Sequence, residues 1–223
     1  MPIINSCLET QNELFNRLLE EARQSWPPQG YRVSEACREC FTLVKRPIDL
    51  PDLLEMIKSL SEQFPGHLYY SQENLHLTIL GLPRLEPGSS IFRYFDRFMV
   101  SHLPALKPVK LPVRGLSIVG STIVAKCFDQ DGSLLRFVDS CFAELGEGIT
   151  DLDEIIGLHR SIYWLSIARL SENAPKELLT TVLSENSREF GTISISSMEL
   201  VRTDSLFRPQ ATEQLKSYEI GMI

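Results

Sequence analysis

The segment NLHLTIL, Asn74 to Leu80, returns in altered form 88 positions later as YWLSIARL, Tyr163 to Leu170. On a strand, side chains at i and i+2 point to one face. His76 and Thr78 therefore share a face, and Leu75, Leu77 and Ile79 turn to the opposite, apolar side. Trp164 and Ser166 share a face in the same way, with Leu165 and Ile167 directed inward. Two strands of this design, one from each of two similar lobes, can line one groove with their polar faces.

The order of elements repeats with the same rhythm. Leu8, Leu14, Leu18 and Leu19 recur at helical spacing across residues 8–25, and WPPQG ends that helix. CFTLVKR from Cys40 reads as a strand, and LPDLLEMIKSLSEQF reads as a helix with Pro51 in its first turn. PGHLYYSQENLHLTILGLP returns to strands, and SIFRYFDRFMVSHL has one apolar helical face. VKLPVRGLSIVG and STIVAKCFD meet at Gly120 with too few residues between them for anything but a hairpin. A helix at SLLRFVDSCFAEL, a strand at SIYWLSIARL, a helix at APKELLTTVLSEN and closing strands at TISISSMELVRTD and QLKSYEIGM complete the second round.

With 223 residues, 43% of them hydrophobic and 23% charged, the chain is long enough to bury a sizeable core. The formal net charge of −7 argues against a broad electrostatic grip on duplex DNA and leaves room for a small phosphate pocket. The N-terminus has no basic segment leading into an apolar run, and no stretch reaches bilayer length, so no membrane association and a cytoplasmic location are expected.

Five scattered cysteines argue against a secreted disulfide framework. Cys37 and Cys40 form a C-x-x-C, but nothing completes a zinc site and the pair precedes a strand, so it reads as two small residues at a strand start. Asp129, Asp131 and Gly132 begin like a calcium loop without its distal glutamate, and read instead as a turn and a helix start. The acidic run ELGEGITDLDE reads as a solvated loop. No metal ligand set, glycine-rich phosphate loop or cofactor motif is recognisable.

HLT at His76–Thr78, with WLSIAR at Trp164–Arg169, resembles the paired His-x-Thr/Ser motifs of the 2H phosphoesterase superfamily, which includes 2′-5′ RNA ligase-like proteins and RNA 2′,3′-cyclic phosphodiesterases. The second motif of that superfamily is often continued by a small residue and an arginine, as Ala168 and Arg169 continue it here. The resemblance runs from about Cys40 to the C-terminus. It implies an α+β fold of two pseudo-symmetric lobes, mostly antiparallel sheet with helices packed outside and a groove between the lobes. Residues 1–39 would be a helical extension, and residues 40–223 the two-lobed domain with interleaved lobes.

The chemistry implied needs no metal or cofactor. One histidine takes a proton from the attacking oxygen, the other protonates the leaving oxygen, and the hydroxyls hold the phosphoryl oxygens. His76, Thr78 and Ser166 fill the corresponding catalytic positions, and Trp164 stands where the second histidine belongs. An indole N–H donates a hydrogen bond but does not exchange a proton near neutral pH. Trp164 either closes the pocket as a large core residue or forms a wall on which a nucleobase stacks.

His159 stands five positions before Trp164, an offset that faces away from the groove on a continuous strand. Arg169, three positions after Ser166, would face away on a regular strand as well. The expected protein acts on or binds a nucleotide or RNA terminus carrying a phosphodiester such as a 2′,3′-cyclic phosphate, with impaired catalysis. Two other readings stay open: a non-catalytic nucleotide or RNA-end binding module, and a scaffold protein with a filled groove.

Overall fold

The two related segments become neighbouring strands at the centre of one antiparallel sheet. The computed structural model describes residues 2–31, 39–82, 85–145 and 161–221. In chain order the elements are α1 (Pro2–Gln24), β1 (Glu39–Lys45), α2 (Pro51–Gln63), β2 (Leu68–Tyr69), β3 (Leu77–Leu82) and α3 (Ser90–His102). They continue with β4 (Val109–Val119), β5 (Thr122–Cys127), α4 (Ser133–Leu145), β6 (Tyr163–Arg169), α5 (Lys176–Ser184), β7 (Glu189–Ile195), β8 (Ser197–Asp204) and β9 (Glu213–Glu219). Cys37, His159 and the acidic loop beyond residue 145 lie outside the described residues.

The strands lie in the order β7-β4-β5-β6-β3-β1-β8-β9, with β2 alongside β6. The seam is the β6–β3 pair, which meets at Leu77 and Leu165. On each side of it stand four strands of the main path, β6-β5-β4-β7 and β3-β1-β8-β9. The half containing β6 is one continuous stretch of sequence, whereas the half containing β3 joins strands from both ends of the chain.

Both seam strands carry one extra residue at the same place. The ladder between β1 and β3 passes from Leu43↔Leu80 to Val44↔Thr78, which leaves Ile79 as the extra residue. The ladder between β5 and β6 passes from Ile123↔Ala168 to Val124↔Ser166, which leaves Ile167. A bulge of this kind shifts the alternation by one residue, so the position three after the hydroxyl returns to its face.

The core forms where the apolar alternation and the helical stripes meet. Leu43, Leu77, Leu80, Leu165 and Ile167 are fully or nearly fully buried, and so are Leu53 and Leu60 of α2, Phe95 and Met99 of α3, Leu134 and Val138 of α4, and Leu178 and Val182 of α5. Ser89 caps α3 by accepting from the Phe92 N–H at 3.0 Å, and Pro51 opens α2 where its missing N–H has no intrahelical partner to lose.

The first helix begins at Pro2, earlier than its apolar period at Leu8 suggests. It lies across the sheet face that bears Trp164. Its Phe15 and Leu18 cluster with Val124, Phe128 and Ile162, and Leu14, Val119 and Trp164 pack against that cluster. Gln11, buried to 1% exposure, fixes the helix by accepting from the Asp129 N–H at 3.0 Å and donating to the Asp129 carbonyl at 3.1 Å. Among the described residues no helix is long and apolar enough to cross a membrane.

Candidate functional site

Extending the seam register by one residue each way sets His76 opposite Ser166 and Thr78 opposite Trp164. The two pairs exchange under the symmetry that maps His76 onto Trp164 and Thr78 onto Ser166. The seam therefore gathers His76, Thr78, Trp164 and Ser166 on one sheet face, the first two from β3 and its lead-in and the others from β6.

His76 is positioned by a turn immediately before β3. The Asn74 carboxamide oxygen accepts from the Ser71 N–H at 2.6 Å and the Ser71 hydroxyl at 3.2 Å, which closes the turn. The Asn74 carbonyl lies 2.8 Å from His76 Nδ1. A carbonyl only accepts, so Nδ1 carries the proton and the neutral ring has its lone pair at Nε2. This is the tautomer a general base at Nε2 needs.

His76 does not line an open groove. It is 7% exposed, and the ring of Phe207 stacks on it with centroids 3.3 Å apart and planes 18° from parallel. The Tyr70 ring lies 6.2 Å away on a tilted plane. Phe207 reaches this place from the β8–β9 connection with φ +53°, a left-handed conformation rare for a bulky residue. Asp204 organises the connection: its carboxylate accepts from the N–H groups of Leu206 and Arg208 at 3.0 and 3.2 Å and pairs with the Arg208 guanidinium. A hydrophobic residue in a polar connection gives no sequence signal for this stacking.

Thr78, Ser166 and Trp164 are half-buried. Trp164 packs against the apolar cluster under α1, so part of its ring is committed to the protein's own packing. Across β5 its ladder partner is Lys126.

Arg169 differs from its expectation on a regular strand. Because Ile167 is an extra residue, Arg169 stands opposite Thr122 and points to the same face as Ser166. Its Nη1 donates to the Thr122 hydroxyl at 2.7 Å and its Nε to the Tyr70 hydroxyl at 3.4 Å. In the other half Gly81 takes the equivalent place opposite Thr42, and a Cβ there would meet nothing within 4 Å. Around the seam the face thus carries the Arg169 guanidinium, hydroxyls from Thr78, Ser166, Thr122 and Tyr70, and the His76 imidazole. Such a set suits a phosphate group.

The other two described histidines, His67 and His102, have structural partners. His67 Nδ1 accepts from the Ser171 N–H at 3.2 Å, and burial holds its pKa below the ordinary value. His102 at the end of α3 lies 2.9 Å from the Glu144 carboxylate. Asp131 accepts from the Ser133 N–H and hydroxyl, and Asp129 from the Leu135 N–H at 2.8 Å, so the calcium-like segment is a turn that starts α4. Among the described residues no group of three His, Cys, Asp or Glu side chains is placed to hold a metal ion.

No protein-family model and no curated protein matches this sequence. Solved structures do match its fold. TT0787 of Thermus thermophilus aligns with a TM-score of 0.57 and 16% identity, over 82% of this chain and 98% of that one. E. coli LigT complexed with NADP+ aligns with a TM-score of 0.53 and 12% identity, over 82% of this chain and 98% of its own. LigT complexed with ATP gives 0.52 and 12% over the same shares. At these identities the likeness establishes a shared fold, matched over nearly the full length of each neighbour.

Proposed function

We propose that this chain is a 2H phosphoesterase-like protein that binds the phosphate of a nucleotide or RNA end at Thr78, Ser166 and Arg169, with hydrolysis impaired because Trp164 occupies the second histidine position. The observation that carries this reading is the matched pair of bulges. Each follows its hydroxyl residue directly, and together they set two equivalent half-sites around the Leu77–Leu165 pair. One half-site retains its histidine in the proton-accepting tautomer, and the other retains the hydroxyl and the arginine.

The likeness in fold to LigT, a protein crystallised with ATP and with NADP+, agrees with a nucleotide ligand. The reading places a phosphoryl oxygen against Arg169 and the two hydroxyls, with His76 Nε2 as base or acid on one side only. Calorimetric titration with a nucleoside 2′,3′-cyclic phosphate, with product analysis in chelator, tests it. Binding lost in Arg169→Ala, with turnover far below that of a two-histidine enzyme, is expected. Absence of binding to the wild-type protein removes the reading.

One observation favours a second reading. Phe207 covers His76 and α1 covers part of Trp164, as in a protein whose groove is filled by its own side chains and which acts as a scaffold. The same titration decides between them, because a scaffold leaves the nucleotide unbound.

A further inference from the structure

Away from the seam, the same sheet face holds two cations that pair with no carboxylate among the described residues. Lys126 on β5 is 6% exposed. Its Nζ donates to the Asn186 carbonyl at 2.9 Å and the Asn186 side-chain oxygen at 2.7 Å, two neutral acceptors. An ammonium has three donors, so one is left over from these bonds. Among the described residues no carboxylate pairs with Lys126, and the nearby Glu185 pairs with Arg188 at 3.6 Å.

The second cation is Arg114. The β4–β5 ladder passes from Val113↔Cys127 to Leu116↔Ala125, so Arg114 and Gly115 together lie opposite Lys126. Arg114 is exposed, and its guanidinium lies 5.3 Å from the Phe128 ring centroid. No carboxylate pairs with it among the described residues either. Burial and then the neighbouring Arg114 charge lower the Lys126 pKa to about 8. A buried ammonium next to a like charge is unfavourable by itself, and an acidic chain of net charge −7 has carboxylates enough to have supplied one here.

The surroundings are built closely around the pair. Gly115 has φ +77°, its N–H donates to the Arg188 carbonyl at 2.7 Å, and a Cβ on it would stand 1.9 Å from the Asn186 carbonyl oxygen and 2.7 Å from Lys126 Cε. Glycine at this position lets the α5–β7 connection close onto the lysine head.

We propose that Arg114, Lys126 and Asn186 form an anion subsite for a phosphate group, separate from the seam and open at exposed Arg114. Lys126 is the ladder partner of Trp164, and Thr78 is across the seam from Trp164, so two strand spacings, about 10 Å, separate the lysine from the seam hydroxyls. The phosphate is either a free anion or a further phosphate of a ligand held at the seam, and both use the same donors.

The test is made in the Arg169→Ala protein, which removes the seam guanidinium. Saturating inorganic phosphate should raise its unfolding midpoint by several degrees, and adding either Lys126→Met or Arg114→Ala should abolish the rise. Lys126→Met keeps the length of the side chain and removes a buried charge, and Arg114 is exposed, so at least one variant retains the fold. No rise in the parent, or an undiminished rise in both variants, overturns the subsite. An RNA dinucleotide ending in a 2′,3′-cyclic phosphate separates the two sources. If it binds the wild type roughly tenfold tighter than the mononucleoside and Lys126→Met removes that gain, the phosphate belongs to the seam ligand. Equal affinities with an intact response to inorganic phosphate identify a free anion.

Discussion

Arg169 stands opposite Thr122 in the β5–β6 ladder, and its Nη1 donates to the Thr122 hydroxyl at 2.7 Å. The contact depends on one extra residue, Ile167, without which the guanidinium would leave the face that carries Ser166. Position on the face and hydrogen bonding to Thr122 are thus set by the same bulge.

Replacing Arg169 by alanine leaves the hydroxyl of Thr122, which is 4% exposed, without this partner. A destabilisation of about 1–3 kcal/mol is expected in urea unfolding, with nucleotide affinity reduced at least tenfold. Arg169→Lys should restore more of the stability than of the affinity, because it keeps the charge and loses the planar fork.

Trp164→His supplies the missing proton carrier, and Phe207→Ala uncovers the histidine already present. A positioned acid or base is worth about 10² to 10⁴ in rate, so cyclic phosphodiesterase activity should rise most in the double variant. Adding His76→Ala should abolish the gain, since two groups acting as one relay are strongly non-additive. A folded double variant without activity on several cyclic phosphates would show that more than the histidine has been lost.

Gln11 holds α1 through both backbone groups of Asp129. Gln11→Ala should cost about 1–3 kcal/mol, because the Asp129 peptide keeps its burial and loses its partner. Fluorescence of Trp164 should shift to longer wavelength as the helix above it loosens. An unchanged spectrum with unchanged stability would show that α1 is held without the clamp.

Asp129 is fully buried, and burial raises its pKa to about 6 from an ordinary 3.8. The folded state then holds the proton more tightly than the unfolded one. The favourable contribution is complete below about pH 4 and is lost as pH rises through 6. Asp129→Asn keeps an acceptor for the Leu135 N–H without the charge, so it should stabilise the protein at pH 7.5 by up to about 3 kcal/mol and make little difference at pH 4. Urea unfolding at both pH values checks the sign.

The strands, the helices and the faces of the two motif strands were legible because they rest on periodicity. The pairing of those strands with each other was not, since alternation sets a face without naming the neighbour. NLHLTIL and YWLSIAR alternate clearly enough to set their faces, and Gly120 between two apolar runs sets the hairpin, where it adopts φ +56°. The bulges were not legible. Ile79 and Ile167 look like ordinary strand residues, and the extra residue shows only when the partner strands β1 and β5 are counted against them. The stacking of Phe207 on His76 was hidden for a related reason: it joins residues 131 positions apart through a backbone conformation that phenylalanine rarely adopts. The N-terminal helix could be read, but the sheet face it covers could not, because an amphipathic stripe states that a helix is buried without stating where.

The interleaving of the two halves imposes an order on synthesis. Strands β4 to β7 emerge consecutively and can pair as soon as residue 195 is free of the ribosome. Strand β1 must wait for β8, since Thr42 pairs with Val201 across roughly 160 residues of chain. The half that carries the surviving histidine is therefore the last to close. Until β8 and β9 arrive, one edge of β1 is an open strand, and the nascent chain is most exposed to mispairing along that edge.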